Sequence, residues 1–449
     1  MKYRLYISVF CLLSFSAAVF NPAKAQDYAR MGERSLMGTA RYVGMGGAMS
    51  AIGGDPSAAH DNPACLGLYR RSEVLLTADV TLDRTLVQGY EYMSYKNRAN
   101  VPQASAVISF PTYAMTDEGV QFNNLMFSYR RLRSFYRNIC GASQKPGSSL
   151  GSLLYTADVN WDIPFCSDSQ NASNTLLLSE NGAVNEFAVD WSMNISNRWF
   201  VGLGLQVQSA ALSSDAVYTE SFDVINADGK HWMNRNSTTL LLSGTSAAAS
   251  VGLIYRPLGW LRLGFGMQTA SIGALNTYTT GELTALTDSL RASYAPDLSY
   301  RDNGFHMPWH TSTSVAFQIG AYGMVAVQHD YWHQKGETDV HSLRAGVEVI
   351  PVLGLYINAG YAYESTFKND TRVVPMDASF ERQDTYYQHP AGTHLASLAV
   401  GYRGTHMLVQ AAYQFGYQGL RLWAHETAEP YAVTAQTHRI VLTIGWHRN

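Results

Sequence analysis

From Glu73 onward the chain repeats one pattern, and that pattern restricts the fold more than any other feature. In Glu73 to Asp83 the residues Val74, Leu76, Ala78, Val80 and Leu82 alternate with Glu73, Leu75, Thr77, Asp79, Thr81 and Asp83. Successive side chains of a strand point to opposite faces, so this is a strand with one apolar and one largely polar face. The pattern returns in Glu186 to Ser196, where Phe187, Val189, Trp191, Met193 and Ile195 share a face. It returns again in Val201 to Gln208, in His406 to Gln418, and in the last residues, where Ile440, Leu442, Ile444 and Trp446 share a face. Fourteen such segments are expected, near 73–84, 104–110, 123–133, 184–196, 198–211, 242–256, 260–273, 309–319, 321–334, 338–350, 353–365, 393–402, 405–418 and 435–447. Their connections alternate in length. Asn197, Pro257-Leu258-Gly259, Gly320, Pro351-Val352 and Arg403-Gly404 are very short. The stretches 85–103, 134–183, 212–241, 274–308, 366–392 and 419–434 are long, and 335–337 is the short exception among them. Short turns at one end and long loops at the other mark a transmembrane antiparallel β-barrel. A β-sandwich has no reason to alternate its loops. The fold expected is all-β, with residues 73–449 as the barrel.

Composition agrees with this reading. Only 15% of the residues are charged, against about 25% in soluble domains, yet the mean hydropathy is −0.12. Lipid-facing apolar residues that alternate with polar lumen residues give that average. A net charge of −3 argues against a nucleic-acid partner. Trp191, Trp199, Trp260, Trp309, Trp332 and Trp446 are expected as interfacial girdles.

The first 25 residues read as a signal peptide: Lys2 and Arg4, then an apolar run from Leu5 to Phe20, then Ala23-Lys24-Ala25, with cleavage before Gln26. Residues 26–72 differ from the barrel. Leu36 to Arg70 holds seven glycines in 35 residues. It is too glycine-rich for an isolated helix, each interior Gly costing about 1 kcal/mol against Ala, and too poor in branched apolar residues for a strand. It carries Gly38-Thr39-Ala40-Arg41, Gly44-Met45-Gly46-Gly47-Ala48, Asp55-Pro56-Ser57-Ala58 and Asn62-Pro63-Ala64. These motifs resemble the amino-terminal hatch of the outer-membrane long-chain fatty-acid transporter family, the FadL type. Cys65 departs from that pattern, where related sequences usually have Gly.

The resemblance implies a 14-stranded outer-membrane barrel plugged by residues 26–72. It implies transport of long-chain fatty acids or similar hydrophobic small molecules by hatch movement and lateral release, with no covalent chemistry and no cofactor. The hatch residues it marks are Gly44, Gly46, Gly47, Asp55, Pro56, Asn62, Pro63 and Ala64. Related barrels also serve as shuttles in type IX secretion or have been called haemin receptors, so a secreted protein is the alternative partner. Fourteen strands enclose more room than their own side chains fill, which a plug would occupy.

By alternation Arg130, Arg262 and Arg344 point inward. A guanidinium can hold both oxygens of a carboxylate, which makes these three the ligand-binding expectation; pairing with lumen acids such as Asp79, Asp190 or Glu348 is the competing one. The alternative for the group Arg130, Arg131, Arg133 and Arg137, at the start of the long loop after the third strand, is contact with lipopolysaccharide phosphates instead. Cys140 and Cys166 share one long loop, and in an oxidising compartment they either pair or stay free. The chain has no G-x-S-x-G, H-E-x-x-H or P-loop, and no Cys/His spacing of a zinc site. No enzymatic activity and no metal are expected.

Overall fold

The computed structural model describes residues 31–32, 34–88, 93–112, 118–143, 169–224, 231–287, 291–295, 299–305, 307–334, 339–366, 387–423 and 430–447. The expected signal peptide, 1–25, lies outside the described residues.

The chain forms one closed, antiparallel barrel of fourteen strands. These are β1 (Glu73–Val87), β2 (Met93–Pro111), β3 (Val120–Ser134, continued by Arg137–Ser143), β4 (Ser169–Ile195), β5 (Trp199–Val224), β6 (His231–Leu258) and β7 (Leu261–Gln268, continued by Ile272–Thr287). Then follow β8 (Arg291–Tyr294, Ser299–Phe305 and Trp309–Ile319), β9 (Gly323–His333), β10 (Val340–Val352), β11 (Leu355–Glu364), β12 (Tyr387–Arg403), β13 (Met407–Trp423) and β14 (Tyr431–His447). Closure comes from β1, which pairs with β2 on one side and β14 on the other, from Glu73↔His447 to Val87↔Val433. A closed sheet leaves no unpaired edge, which a strand must avoid in hydrocarbon.

The alternation fixes the two faces. On β5, Leu203, Leu205 and Val207 are exposed while Gly202, Gly204, Gln206 and Gln208 are buried. On β14, Ile440, Leu442, Ile444 and Trp446 face out, and Arg439, Val441 and Thr443 face in. Each of the fourteen expected segments falls on one of these strands, overrunning it by at most two residues at either end.

Two expectations need correction. The first concerns the long connections, much of which is strand. β4, β5 and β6 run on together as tall hairpins, with Ser179↔Asp215 and Asp215↔Thr239 still paired. The period of two continues there, but the outward face turns polar at Ser209, Ser213 and Asp215, so the apolar signal stops before the strand does. Leu176, Leu178 and Tyr218 of these extensions belong to one buried cluster with Leu420 and Leu422 of β13 and Tyr431 of β14. The second concerns Trp332, which is no girdle residue. It shares the inward parity of Gln328 and Asp330, is 4% exposed, and stacks on His310 at 4.8 Å. Trp191, Trp199, Trp260 and Trp446 do face outward.

Candidate functional site in the barrel lumen

Residues 34–72 lie against the inward faces of the strands and are almost entirely buried. Thr39 caps the short helix α1 (Ala40–Gly44), its hydroxyl oxygen accepting from Tyr42 N. The same hydroxyl donates to Asp55 Oδ2 at 2.7 Å, and Ser57 N donates to Asp55 Oδ1 at 2.9 Å. Asp55 therefore ties the helix to the turn that carries Pro56. Asn62 caps the 3-10 turn Pro63–Leu68, with Pro63 at its first position, where a missing N–H costs nothing. Asn62 Nδ2 also donates to Ser50 O at 2.8 Å and to Leu253 O of β6 at 3.2 Å. The Asn-Pro-Ala motif is thus a helix start and a tether at once.

The glycines explain how closely this segment fits. Gly46 has φ +61°, and a Cβ there would stand 2.8 Å from Tyr361 N and 3.0 Å from Ala345 O. The barrel wall answers with glycines of its own. A Cβ at Gly252, Gly266 or Gly346 would overlap Asn62 Oδ1, Asp61 O or Met45 O. Backbone meets backbone across β6, β7 and β10.

Buried charges complete the fit. Arg41 Nε and Nη2 donate to Glu348 Oε2 and Oε1 at 2.6 and 2.9 Å. Arg439 Nε donates to Asp79 at 2.5 Å and its Nη1 to Leu36 O at 2.8 Å. His60 Nδ1 lies 2.6 Å from Glu186 Oε1, and its Nε2 meets Arg34. Burial pushes the His60 imidazole down to about 4. The neutral ring then donates from Nδ1 to Glu186 and accepts at Nε2 from Arg34.

The three inward arginines all engage this segment. Arg130 donates to Ser57 O at 2.9 Å and Met37 O at 2.7 Å, with its guanidinium 5.2 Å from the Tyr42 ring centroid. Arg262 donates to Ile52 O at 2.7 Å and Gln318 at 3.0 Å. Arg344 reaches Tyr42 OH at 3.0 Å, Asp61 at 3.2 Å, Asp330 at 3.2 Å and Glu364 at 3.3 Å. Asp61, His310 and Asp330 converge closely enough to hold a cation, but Arg344 already sits between the two carboxylates.

Beside the segment lies a partly open cavity of about 230 Å³, lined by Arg34, Leu36 and Met37 and by wall residues including Arg133, Tyr136 and Trp332. Arg130, Arg262 and Arg344 do not line it. Of the arginines expected at lipopolysaccharide, Arg130 is turned inward, while Arg133 and Arg137 line the cavity and Arg137 pairs with Glu180. Cys65 is buried, its thiol directed at Ser50 O, and Cys140 is free. Cys166 lies outside the described residues, so its expected pairing with Cys140 is not described.

Sequence reasoning missed Arg41, Arg439, His60 and Asp61. Arg41 stands inside the Gly-Thr-Ala-Arg motif, Glu348 is among the lumen acids, and the shared face of Ile440 and Leu442 is the signal that could have put Arg439 inward. What it lacked was the partner.

No protein-family model matches the chain, and no curated protein matches it. Solved structures do. A Pseudomonas aeruginosa FadL homologue is 13% identical with a TM-score of 0.55, covering 92% of this chain and 99% of the homologue. The Pseudomonas putida toluene transporter TodX is 14% identical with a TM-score of 0.55, at 92% and 99% coverage. The Ralstonia pickettii toluene transporter TbuX is 16% identical with a TM-score of 0.50, at 92% and 100% coverage. The chain has the fold of the FadL-type outer-membrane transport barrels.

Proposed function

We propose that this protein carries hydrophobic small molecules across the outer membrane, long-chain fatty acids or molecules like them. Residues 26–72 act as the hatch, and Gly44 to Pro63 is its moving part. The observation that carries the reading is the joint closure of the lumen. The amino-terminal segment is held to the wall by arginines on β3, β7, β10 and β14, and a partly apolar, cation-rich cavity lies beside it. Arg130 and Arg262, held by backbone carbonyls of the segment, make a latch that an incoming carboxylate can compete for, because a bond between two ionised groups is stronger than one to a neutral carbonyl, whereas Arg344 is already paired with Asp61, Asp330 and Glu364. Arg130, Arg262 and Arg344 are in this reading the groups that meet the ligand once the hatch shifts. Release is lateral, through the wall into the membrane. The structural neighbours include barrels named as toluene transporters, and a neutral hydrocarbon would not need these arginines.

Native mass spectrometry with lipid extraction, on protein purified from its own outer membrane, tests the proposal. The expected result is a co-purified apolar small molecule that is lost when residues 26–72 are deleted. A clean barrel carrying a stoichiometric protein partner overturns it in favour of a secretion role.

A further inference from the structure

The outer wall carries a second concavity that transport does not use. On the lipid-facing side of β9 to β13 an apolar groove of about 520 Å³ has a floor of Ala345, Ala359 and Ala396 between Val327, Tyr361 and Phe415. It spans five strands, roughly 20 Å at ordinary strand spacing. That is too broad for a single hydrocarbon chain.

The groove ends at a row of paired rings. Tyr361 OH lies 2.7 Å from His394 Nδ1, and Tyr413 OH lies 2.7 Å from His438 Nδ1. With each phenol donating to Nδ1, each neutral imidazole keeps its proton on Nε2, the nitrogen left free to donate. The two pairs stand at the upper edge of the apolar belt. Below His438 the outward residues are Ile440, Leu442, Ile444 and Trp446, and above it they are Gln436 and Thr434. Below His394 they are Ala396, Leu398, Val400 and Tyr402. This edge is the one remote from the short turns, hence the extracellular side. His438 lies opposite Leu82, and the next outward residue of β1 is the exposed Arg84. Among the described residues the outward faces of β11 to β14 bear no carboxylate.

Donors above a multi-chain apolar groove, with a cation on the neighbouring β1 and with Asp339, the outward acid at the top of β10, already bonded to Tyr331 and His333, describe a receptor for a phosphorylated lipid. His394 and His438 are two strands apart, roughly 10 Å across the sheet. That spacing suits a head with two separated phosphates better than a single phosphodiester. We propose that this wall binds a bisphosphorylated, multi-acyl glycolipid of the outer leaflet, the membrane anchor of lipopolysaccharide. Its chains lie in the alanine-floored groove, and its phosphates accept from His394, His438 and Arg84.

The test uses the full barrel in detergent, stripped of lipid and titrated by native mass spectrometry with bisphosphoryl lipid A, monophosphoryl lipid A and phosphatidylglycerol. Wild-type protein is expected to retain bisphosphoryl lipid A about tenfold better than phosphatidylglycerol, with the monophosphoryl form between. His394→Ala with His438→Ala is expected to remove about that factor, the worth of one or two bonds to a charged acceptor. Ala359→Leu with Ala396→Leu fills the groove and is expected to weaken all three lipids while the heat-modifiable gel mobility of the folded barrel is kept. Equal retention of phosphatidylglycerol by the wild type, or unchanged lipid A retention in both double variants, would overturn the proposal.

Discussion

Arg41 of the amino-terminal segment grips Glu348 of β10 through both carboxylate oxygens, and Glu348 is almost completely buried. This bidentate pair is the clearest single link between the segment and the wall. Removing one partner of a buried pair leaves the other charge unpaired, which costs about 3 kcal/mol or more.

Arg41→Ala should therefore loosen the segment locally. Amide exchange over residues 40–47 is expected to speed up by about two orders of magnitude, the kinetic equivalent of 3 kcal/mol. Adding Glu348→Gln to it should restore much of the protection, because the orphaned charge is gone. Unchanged exchange in Arg41→Ala would show that the pair holds nothing in place.

Gly46 tests the closeness of fit. Its φ of +61° alone penalises a side chain by about 1–2 kcal/mol, and a Cβ would press on the Tyr361 and Ala345 backbone. Gly46→Leu should displace the segment while the barrel stays folded. Single-channel recording in planar bilayers is expected to show larger or more frequent openings than wild type. A variant as closed as wild type would mean that the turn is not seated as described.

These residues also show what a sequence can reveal. The period of two places Arg130, Arg262, Arg344 and Glu348 on inward faces, because facing depends on local alternation alone. Their partners in the amino-terminal segment lie from 73 to 307 positions away, and no local rule reports that. Nor does a local rule report that Gly252 and Gly346 make room for Asn62 and Met45. Trp332 was open to correct assignment by parity, but the expectation that Trp marks interfaces overrode it. The tall hairpins of β4 to β6 escaped because an apolar–polar alternation marks only the part of a strand that lies in lipid.

His60 makes the closure sensitive to acid. Its pKa is depressed by burial to about 4, below the free value of about 6.5. The unlocked state thus binds the proton more readily than the closed one. The stabilisation is fully present above about pH 6.5 and is lost as pH falls toward 4. Exchange of the amides of residues 57–62, corrected for its intrinsic pH dependence, is expected to accelerate between pH 7 and pH 4.5. His60→Asn should remove that acceleration. An acceleration that survives the substitution would assign it to another group.

The central claim is that the luminal segment must move for cargo to pass. Ser50 of the segment and Ser314 of β8 already touch, Oγ to Oγ at 2.7 Å. Ser50→Cys with Ser314→Cys, in a chain whose native Cys65, Cys140 and Cys166 are changed to Ser, would tie them by a disulfide. The measurement is uptake of a radiolabelled long-chain fatty acid by cells that carry this barrel, oxidised and then reduced. No uptake is expected when the bond is closed, with recovery on reduction. Equal uptake in both states would contradict it.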